Sequence, residues 1–328
     1  MAPVPPILVR TARRCWRWQW QQLMGGLAPA DSEGNYRRPA GVFTALPPLP
    51  EDAAAPDGHV LIVGRSCPWA HRAWLVWSLR GLAGSIALEV VEPDPEAGRW
   101  RFTRPFLGCT TLQELYRACG APAATRATVP VLVSRRRQRV VVGESARLIE
   151  LLNQWPSGQA LDLDPAPQRE ATGRWRERLQ HSVNDGVYRC GFARTQAAYD
   201  RAEAALFATL AEVEEQLSTR PDPWLSGPML SLADVQLFPT LIRLELVYAP
   251  LFGVSRLPLW QLPALWRWRS RFHALPGVAD TCAAAAWRQD YFGTLFPLHP
   301  SGIVPAGPCL ATLVAEPPAG GHTPGETP

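Results

Sequence analysis

The side chain best placed for covalent chemistry is Cys67, in the run Cys67-Pro68-Trp69-Ala70-His71-Arg72 between the apolar stretch Val60-Leu61-Ile62-Val63 and a helical pattern. A cysteine at a strand-to-helix junction meets unpaired backbone N–H groups and the positive end of the helix dipole, which favour thiolate over thiol. Cys67 is therefore expected to be an unusually acidic nucleophile. Pro68 falls at the first helical position, where its missing N–H costs nothing. A dithiol-exchange motif would carry a second cysteine at position 70, but Ala70 stands there, so this is a one-thiol site. Most free cysteines are small buried hydrophobes, and the neighbouring motifs have to decide between the two readings.

The elements that hold Cys67 become regular at Val60. A strand (60–63) leads into a helix (about 68–82) and a second strand, Ile86-Ala87-Leu88-Glu89-Val90-Val91, forming a β-α-β unit. A loop and a short helix near Leu112–Cys119 follow. Val131-Leu132-Val133 and Val140-Val141-Val142 then flank the charged tip Arg135-Arg136-Arg137-Gln138-Arg139 of a hairpin, and a helix from about Ala146 to Leu152 closes the segment. Four strands and three helices in the order β-α-β-α-β-β-α make the α/β thioredoxin-like arrangement, assigned to residues 59–157.

From about residue 165 helical spacing dominates, as in Leu206, Leu210, Val213 and Leu217, so residues 165–300 are read as an all-helical domain. Helices are expected near 167–183, 195–219, 232–249, 261–274 and 277–289. The sharpest local signal is Ser231-Leu232-Ala233-Asp234, a capping box that Leu230 and Val235 frame as a hydrophobic staple. Residues 1–58 form an irregular lead-in, and residues 301–328 a Pro-, Gly- and Thr-rich tail whose last ~20 residues are expected to be disordered. Residues 1–30 hold no acid, and Arg10, Arg13, Arg14 and Arg17 interleave with Trp16, Trp18 and Trp20. That stretch is either a targeting peptide or a cover packed on the body.

Composition removes several classes of function. The net charge of +4 comes from 33 basic residues, all arginine and dispersed through both halves, without the clustered stripe that nucleic-acid binding needs. Seven widely spaced cysteines (15, 67, 109, 119, 190, 282 and 309) and six scattered histidines have no zinc-site spacing, so no metal is expected. The odd cysteine count in a chain this long fits a reducing, cytoplasmic compartment. No apolar run reaches the ~18 to 20 residues of a bilayer span.

A thioredoxin-like domain, a helical domain behind it and a cysteine at the first helix start together resemble the cytosolic glutathione transferases. Val129-Pro130 is similar to the cis-proline element of that fold, whose preceding residue offers its backbone to the cysteinyl part of glutathione. Glu144-Ser145 is similar to the pair that holds the γ-glutamyl end at a helix N-terminus. The hexapeptide Cys67–Arg72 narrows the resemblance to the glutathionyl-hydroquinone reductases, the omega-like xi class. So do Gly186-Val187-Tyr188 with Gly191-Phe192-Ala193, Leu237-Phe238 with Arg243 and Val247-Tyr248, and Tyr291-Phe292-Gly293. The resemblance spans roughly residues 60–308. It departs at Phe292, where the family has a second tyrosine, and matches the family's loop tryptophan only approximately at Trp100.

The resemblance implies Cys67 as the catalytic thiol, Trp100, Arg126, Val129, Pro130, Glu144 and Ser145 as glutathione contacts, and Tyr188 and Tyr291 over an aromatic substrate. It implies glutathione as co-substrate, removal of glutathione from glutathionyl-hydroquinones with release of oxidised glutathione, and a homodimer. Two other readings stay open at this point. One is an omega-like thioltransferase or dehydroascorbate reductase using the same cysteine. The other is a non-catalytic binding protein of the same fold, against which the retained thiol argues.

Overall fold

The structure, a computed structural model, describes residues 4–94 and 96–315. Helix α1 (Pro6–Leu27) carries proline in its first turn, where no donor is lost, and buries only Met24 completely. Its C-terminal half touches the body: the Arg194 guanidinium lies 5.1 Å from the Trp20 ring, and Trp16 meets Phe296 edge-on at 6.4 Å. The rest of the helix is exposed. Turns and a bridge between Ala30 and Tyr36 lead on to β1 (His59–Gly64).

All six residues of β1 are buried, as expected for an apolar run covered on both faces. The strand pairs in parallel with β2 (Ile86–Asp94) across the crossover helix α2 (Pro68–Leu79). The sheet has six strands, not four. Beyond β2 the chain turns back into β3 (Arg99–Phe106) and β4 (Cys109–Thr111), in the stretch read from sequence as a loop. The missed signal is Trp100, Phe102 and Phe106 on one face of the strand among exposed arginines, bracketed by Gly98 and Gly108 at positive φ. Helix α3 (Leu112–Ala118) leads to β5 (Val131–Ser134), antiparallel to β1, and the hairpin closes with β6 (Arg139–Val142). The order β4-β3-β2-β1-β5-β6 places β1 centrally. Helix α4 (Ser145–Gln154) packs beside α2.

The second unit is helical throughout: α5 (Arg169–Leu179), α6 (Gly186–Gly191), α7 (Gln196–Thr219), α8 (Leu232–Leu241), α9 (Ala249–Phe252), α10 (Pro263–His273), α11 (Ala284–Thr294) and α12 (Leu310–Val314). The capping box opens α8, where buried Asp234 accepts from Ser231 N–H at 3.0 Å, Ser231 Oγ at 2.6 Å, Leu225 N–H at 3.0 Å and Trp268 Nε1 at 2.8 Å. The single helix expected over 232–249 is interrupted. Pro239 lies inside α8, and the π-helical turn Leu244–Tyr248 separates it from α9. Leu232–Phe252 is long and apolar enough for a bilayer span, yet 78% of its most apolar 18-residue stretch is buried inside the protein. The helix expected at 277–289 begins later, because Gly277 at φ 75° and the 3-10 turn Ala279–Thr281 come first. The tail also differs from expectation up to residue 315. Leu313 is buried, Trp266 Nε1 donates to Ala315 O at 2.7 Å, and Arg269 Nη2 donates to Leu313 O at 2.6 Å. The disorder expected further on, over 316–328, lies outside the described residues.

Candidate active site

Cys67 is the N-cap of α2, with extended backbone, and its N–H donates to Gly64 O at 3.1 Å. Its thiol donates to Val129 O at 3.5 Å, and the Val129–Pro130 peptide is cis, so the cis-proline element stands directly against the sulfur. Cys67 is half-buried, and the expectation of an acidic thiol meets an opposing effect. Burial pushes the thiol up, against the pull of the Ala70 and Trp69 backbone N–H groups and of the Arg243 and Arg38 charges. The helix N-terminus acts as anticipated, but desolvation outweighs it.

One turn along α2, buried His71 links the two units. Thr281 Oγ1 donates its only proton to Val278 O at 2.7 Å, so it accepts from His71 Nε2–H, also at 2.7 Å. His71 Nδ1 is then the acceptor for Arg243 Nη1 at 2.9 Å. Burial, followed by the Arg243 charge, holds the imidazole well below its usual range, so it is neutral. Arg243 itself is fully buried. Its Nη1 also donates to Pro239 O at 2.9 Å, and its guanidinium lies 3.8 Å from the Trp287 ring centre. Its Nε and Nη2 have no hydrogen-bond partner, and no carboxylate among the described residues pairs with it. A buried cation without a counterion favours negative charge nearby, and it pulls Cys67, Tyr248 and Tyr291 toward ionisation.

Trp69 lies between two arginines, with Arg38 at 3.8 Å and Arg72 at 4.4 Å from its ring centre, and stacks on Tyr188 at 5.9 Å. Burial, with Arg38 adding to it, brings Arg72 down to about 9, and its Nη1 donates to Gln180 Oε1 at 3.0 Å. Tyr188 from α6 and Tyr291 from α11 meet hydroxyl to hydroxyl at 2.5 Å, and Tyr248 from the π-helical turn reaches Tyr291 at 3.4 Å. Phe192 and Phe252 wall the group. Gly191 permits this, because a side chain there would occupy the space of the Phe252 ring. Burial and the neighbouring phenols raise Tyr188 and Tyr291 well above the ordinary phenol range, so all three are protonated. The cluster lies within the electrostatic reach of Cys67.

The other expected residues fall at differing distances from this centre. Trp100, on β3, covers Gly64 so closely that a Cβ there would lie 2.5 Å from its ring, which sets the indole beside the turn into Cys67. Glu144 is the N-cap of α4 and accepts from Arg147 N–H at 3.0 Å. Ser145 is buried as the first residue of that helix, and its Oγ has no partner. Arg126 is exposed on the loop before Val129, makes no side-chain hydrogen bond among the described residues, and reaches the site only as a charge felt by Tyr36. Phe292 points away, buried against His299 at 5.0 Å. Sequence reasoning gave Tyr248 and Arg243 no role. Both stood in a quoted motif, but their convergence on Tyr291 and His71 depends on the break between α8 and α9. No group of three or more metal-binding side chains occurs among the described residues.

Two family models match the chain: the glutathione S-transferase N-terminal domain over residues 66–155 and the C-terminal domain over 196–291. Glutathionyl-hydroquinone reductase PcpF of Sphingobium chlorophenolicum is 34% identical over 263 residues, covering 77% of this chain and 83% of that protein. The chain belongs to the xi class of the glutathione S-transferases. Glutathionyl-hydroquinone reductase YqjG of Escherichia coli (strain K12) is 32% identical over 266 residues, covering 78% and 80%. Among solved structures, the xi transferase of Phanerochaete chrysosporium superposes with a TM-score of 0.79 at 30% identity, covering 85% of this chain and 94% of that one. The glutathione-bound structure of YqjG gives 0.72 at 31%, covering 78% and 86%.

Proposed function

We infer that the protein is a glutathione-dependent oxidoreductase that reduces glutathionyl-hydroquinones to hydroquinones. The observation that carries this reading is the meeting of Tyr188, Tyr248 and Tyr291 hydroxyls from three separate segments within reach of the Cys67 thiol. Three hydroxyls own three protons, and the two contacts among them use two, which leaves one for a substrate oxygen. A buried donor of this kind suits a phenol oxygen that gains negative charge as the hydroquinone leaves.

Cys67 gives up its proton and, as the thiolate that the α2 N–H groups and the Arg243 charge favour, attacks the sulfur of the substrate thioether. The S–S bond to glutathione forms as the bond from sulfur to the ring carbon breaks. That carbon takes up a proton, and the hydroquinone departs. With Ala70 in the place of a resolving cysteine, a second glutathione thiolate attacks the mixed disulfide, restores Cys67 and leaves as oxidised glutathione. Val129 and Pro130 set the cysteinyl part of glutathione against Cys67. The open hydroxyl of Ser145 and the N-terminus of α4 receive the γ-glutamyl carboxylate, Glu144 its ammonium, and Trp100 the adjoining backbone. Arg126 acts only as a distant charge. The same reading includes a homodimer and a reducing cytoplasm, where seven free thiols persist.

Turnover of a glutathionyl-hydroquinone compared with dehydroascorbate tests the reading. Hydroquinone and oxidised glutathione should form in equal amounts, with ping-pong kinetics and one glutathione on Cys67 after a single equivalent of substrate. Preference for dehydroascorbate, or an intramolecular disulfide at Cys67, would overturn it.

A further inference from the structure

Helix α1 exposes what folded proteins ordinarily cover. Ile7 is 60% exposed, Leu8 58% and Trp18 62%, and Val4, Val9, Trp16 and Leu23 are exposed as well. The apolar surface continues through Trp16 onto Phe296, itself 49% exposed. Arg10, Arg13, Arg14 and Arg17 follow the spacing i, i+3, i+4, i+7, which sets them in one stripe, and Met24, seven residues past Arg17, extends that stripe to the point where the helix docks. Leu8, Ala12, Cys15, Leu23 and Gly26 lie on the opposite side together with Gln19 and Gln22, Val9 and Trp16 on one flank and Trp18 on the other, and Ile7 falls beside Arg14. The helix docks through Trp20, Met24 and Leu27, on the edge between the arginine stripe and the Val9–Trp16 flank, and leaves all four arginines exposed together with Leu8 and Trp18.

We propose that α1 is an interfacial helix that seats the enzyme on an anionic lipid surface, its apolar side entering the headgroup boundary and its four arginines reaching round to the phosphates. Charge complementarity selects this occupant. Residues 1–30 contain no acid, and none of the four arginines has an ion-pair partner among the described residues. A protein-facing helix would present a mixed-charge rim. This one pairs a purely cationic stripe with tryptophan and leucine, the composition that lies in an interface plane. At 22 residues the helix is about 33 Å long, enough to lie flat, while its arginines exclude a span. The catalytic cluster takes no part in the argument.

Co-sedimentation of the full chain with vesicles of phosphatidylcholine alone, or with a third phosphatidylglycerol, tests the proposal. Binding should appear with the anionic vesicles, weaken at least tenfold with the neutral ones, and weaken again as salt rises. Replacing Arg10, Arg13, Arg14 and Arg17 together by Gln should lower binding by up to roughly a thousandfold, at about 1 kcal/mol for each charge. Turnover in solution should stay unchanged, which also shows that the variant folds. Leu8→Gln with Trp18→Gln should weaken binding to anionic vesicles separately. Failure to bind anionic vesicles, or equal binding by the quadruple variant, would overturn the proposal. So would concentration-dependent self-association that Leu8→Gln with Trp18→Gln abolishes in a chain that ignores vesicles, which would give the face to a second copy.

Discussion

Tyr291 is the centre of the hydroxyl cluster, touching Tyr188 at 2.5 Å and Tyr248 at 3.4 Å, so Tyr291→Phe removes both contacts without emptying the aromatic box. In the resting enzyme the loss is two neutral hydrogen bonds, about 1 kcal/mol each. In the transition state for hydroquinone release the cluster holds an oxygen carrying negative charge, and such a bond is worth roughly 1.5–3 kcal/mol. At about 1.4 kcal/mol per factor of ten, the first half-reaction should slow roughly 10- to 150-fold. The second half-reaction, thiolate on mixed disulfide, involves no phenol oxygen and should change less than about twofold. Rapid-quench mass spectrometry separates them, following glutathione appearing on Cys67 after one equivalent of substrate, then its removal by added glutathione. Equal slowing of both halves, or an unchanged first half, would refute the assignment of the phenols to the aromatic substrate. Tyr188→Phe should follow the same pattern.

The remaining expectations concern the groups around this centre. Burial raises Cys67, so its alkylation rate in the ligand-free enzyme should climb with a midpoint above the ~8.5 of a free cysteine; a midpoint below that value would restore the helix terminus as the dominant influence. Arg243→Gln removes a charge that opposes this rise and should move the midpoint higher still, with Arg243→Lys recovering part of the shift; an unmoved midpoint in both variants would make Arg243 a packing residue only. Ser145→Ala should raise KM for glutathione roughly tenfold or more, by one charge-assisted bond, with kcat little changed; loss of kcat alone would remove Ser145 from glutathione binding. His71 is buried neutral with a depressed pKa, so the stability it contributes is present above ~6.5 and is lost as pH falls toward its folded value, by up to about 1.4 kcal/mol per unit; a denaturation series over that window should lose slope in His71→Asn.

Cys67 was legible because its signals are local: an apolar strand, a proline at the first helical position, and no second cysteine three residues on. The capping box at Ser231 was legible for the same reason, since it is a short-range geometry written in adjacent residue types, whereas the cis-proline at Val129-Pro130 was reached only through the resemblance. Strands β3 and β4 were missed because exposed Arg104, in phase with Phe102 and Phe106, breaks the two-residue alternation of β3, and β4 is only three residues long. The short helix α12 was missed because proline and glycine around it mask a segment that tertiary contacts from Trp266, Arg269 and Ser270 hold in place.

The properties of the site belong to another level. Whether Cys67 is acidic depends on a competition between backbone N–H groups two and three residues away, visible in the chain order, and desolvation by segments far along the chain, which is not. Tyr188, Tyr248 and Tyr291 are separated by 60 and 43 residues, and their hydroxyls meet only through packing of α6 against α11, with Tyr248 joining from the π-helical turn between α8 and α9. Arg243 without a counterion, and His71 held in one tautomer by Thr281, likewise arise from packing between the two units. Residue type and spacing decide local backbone geometry because their forces act within a few residues. Burial and long-range electrostatics depend on what the folded chain brings alongside, and here they decide how the thiol and the phenols behave.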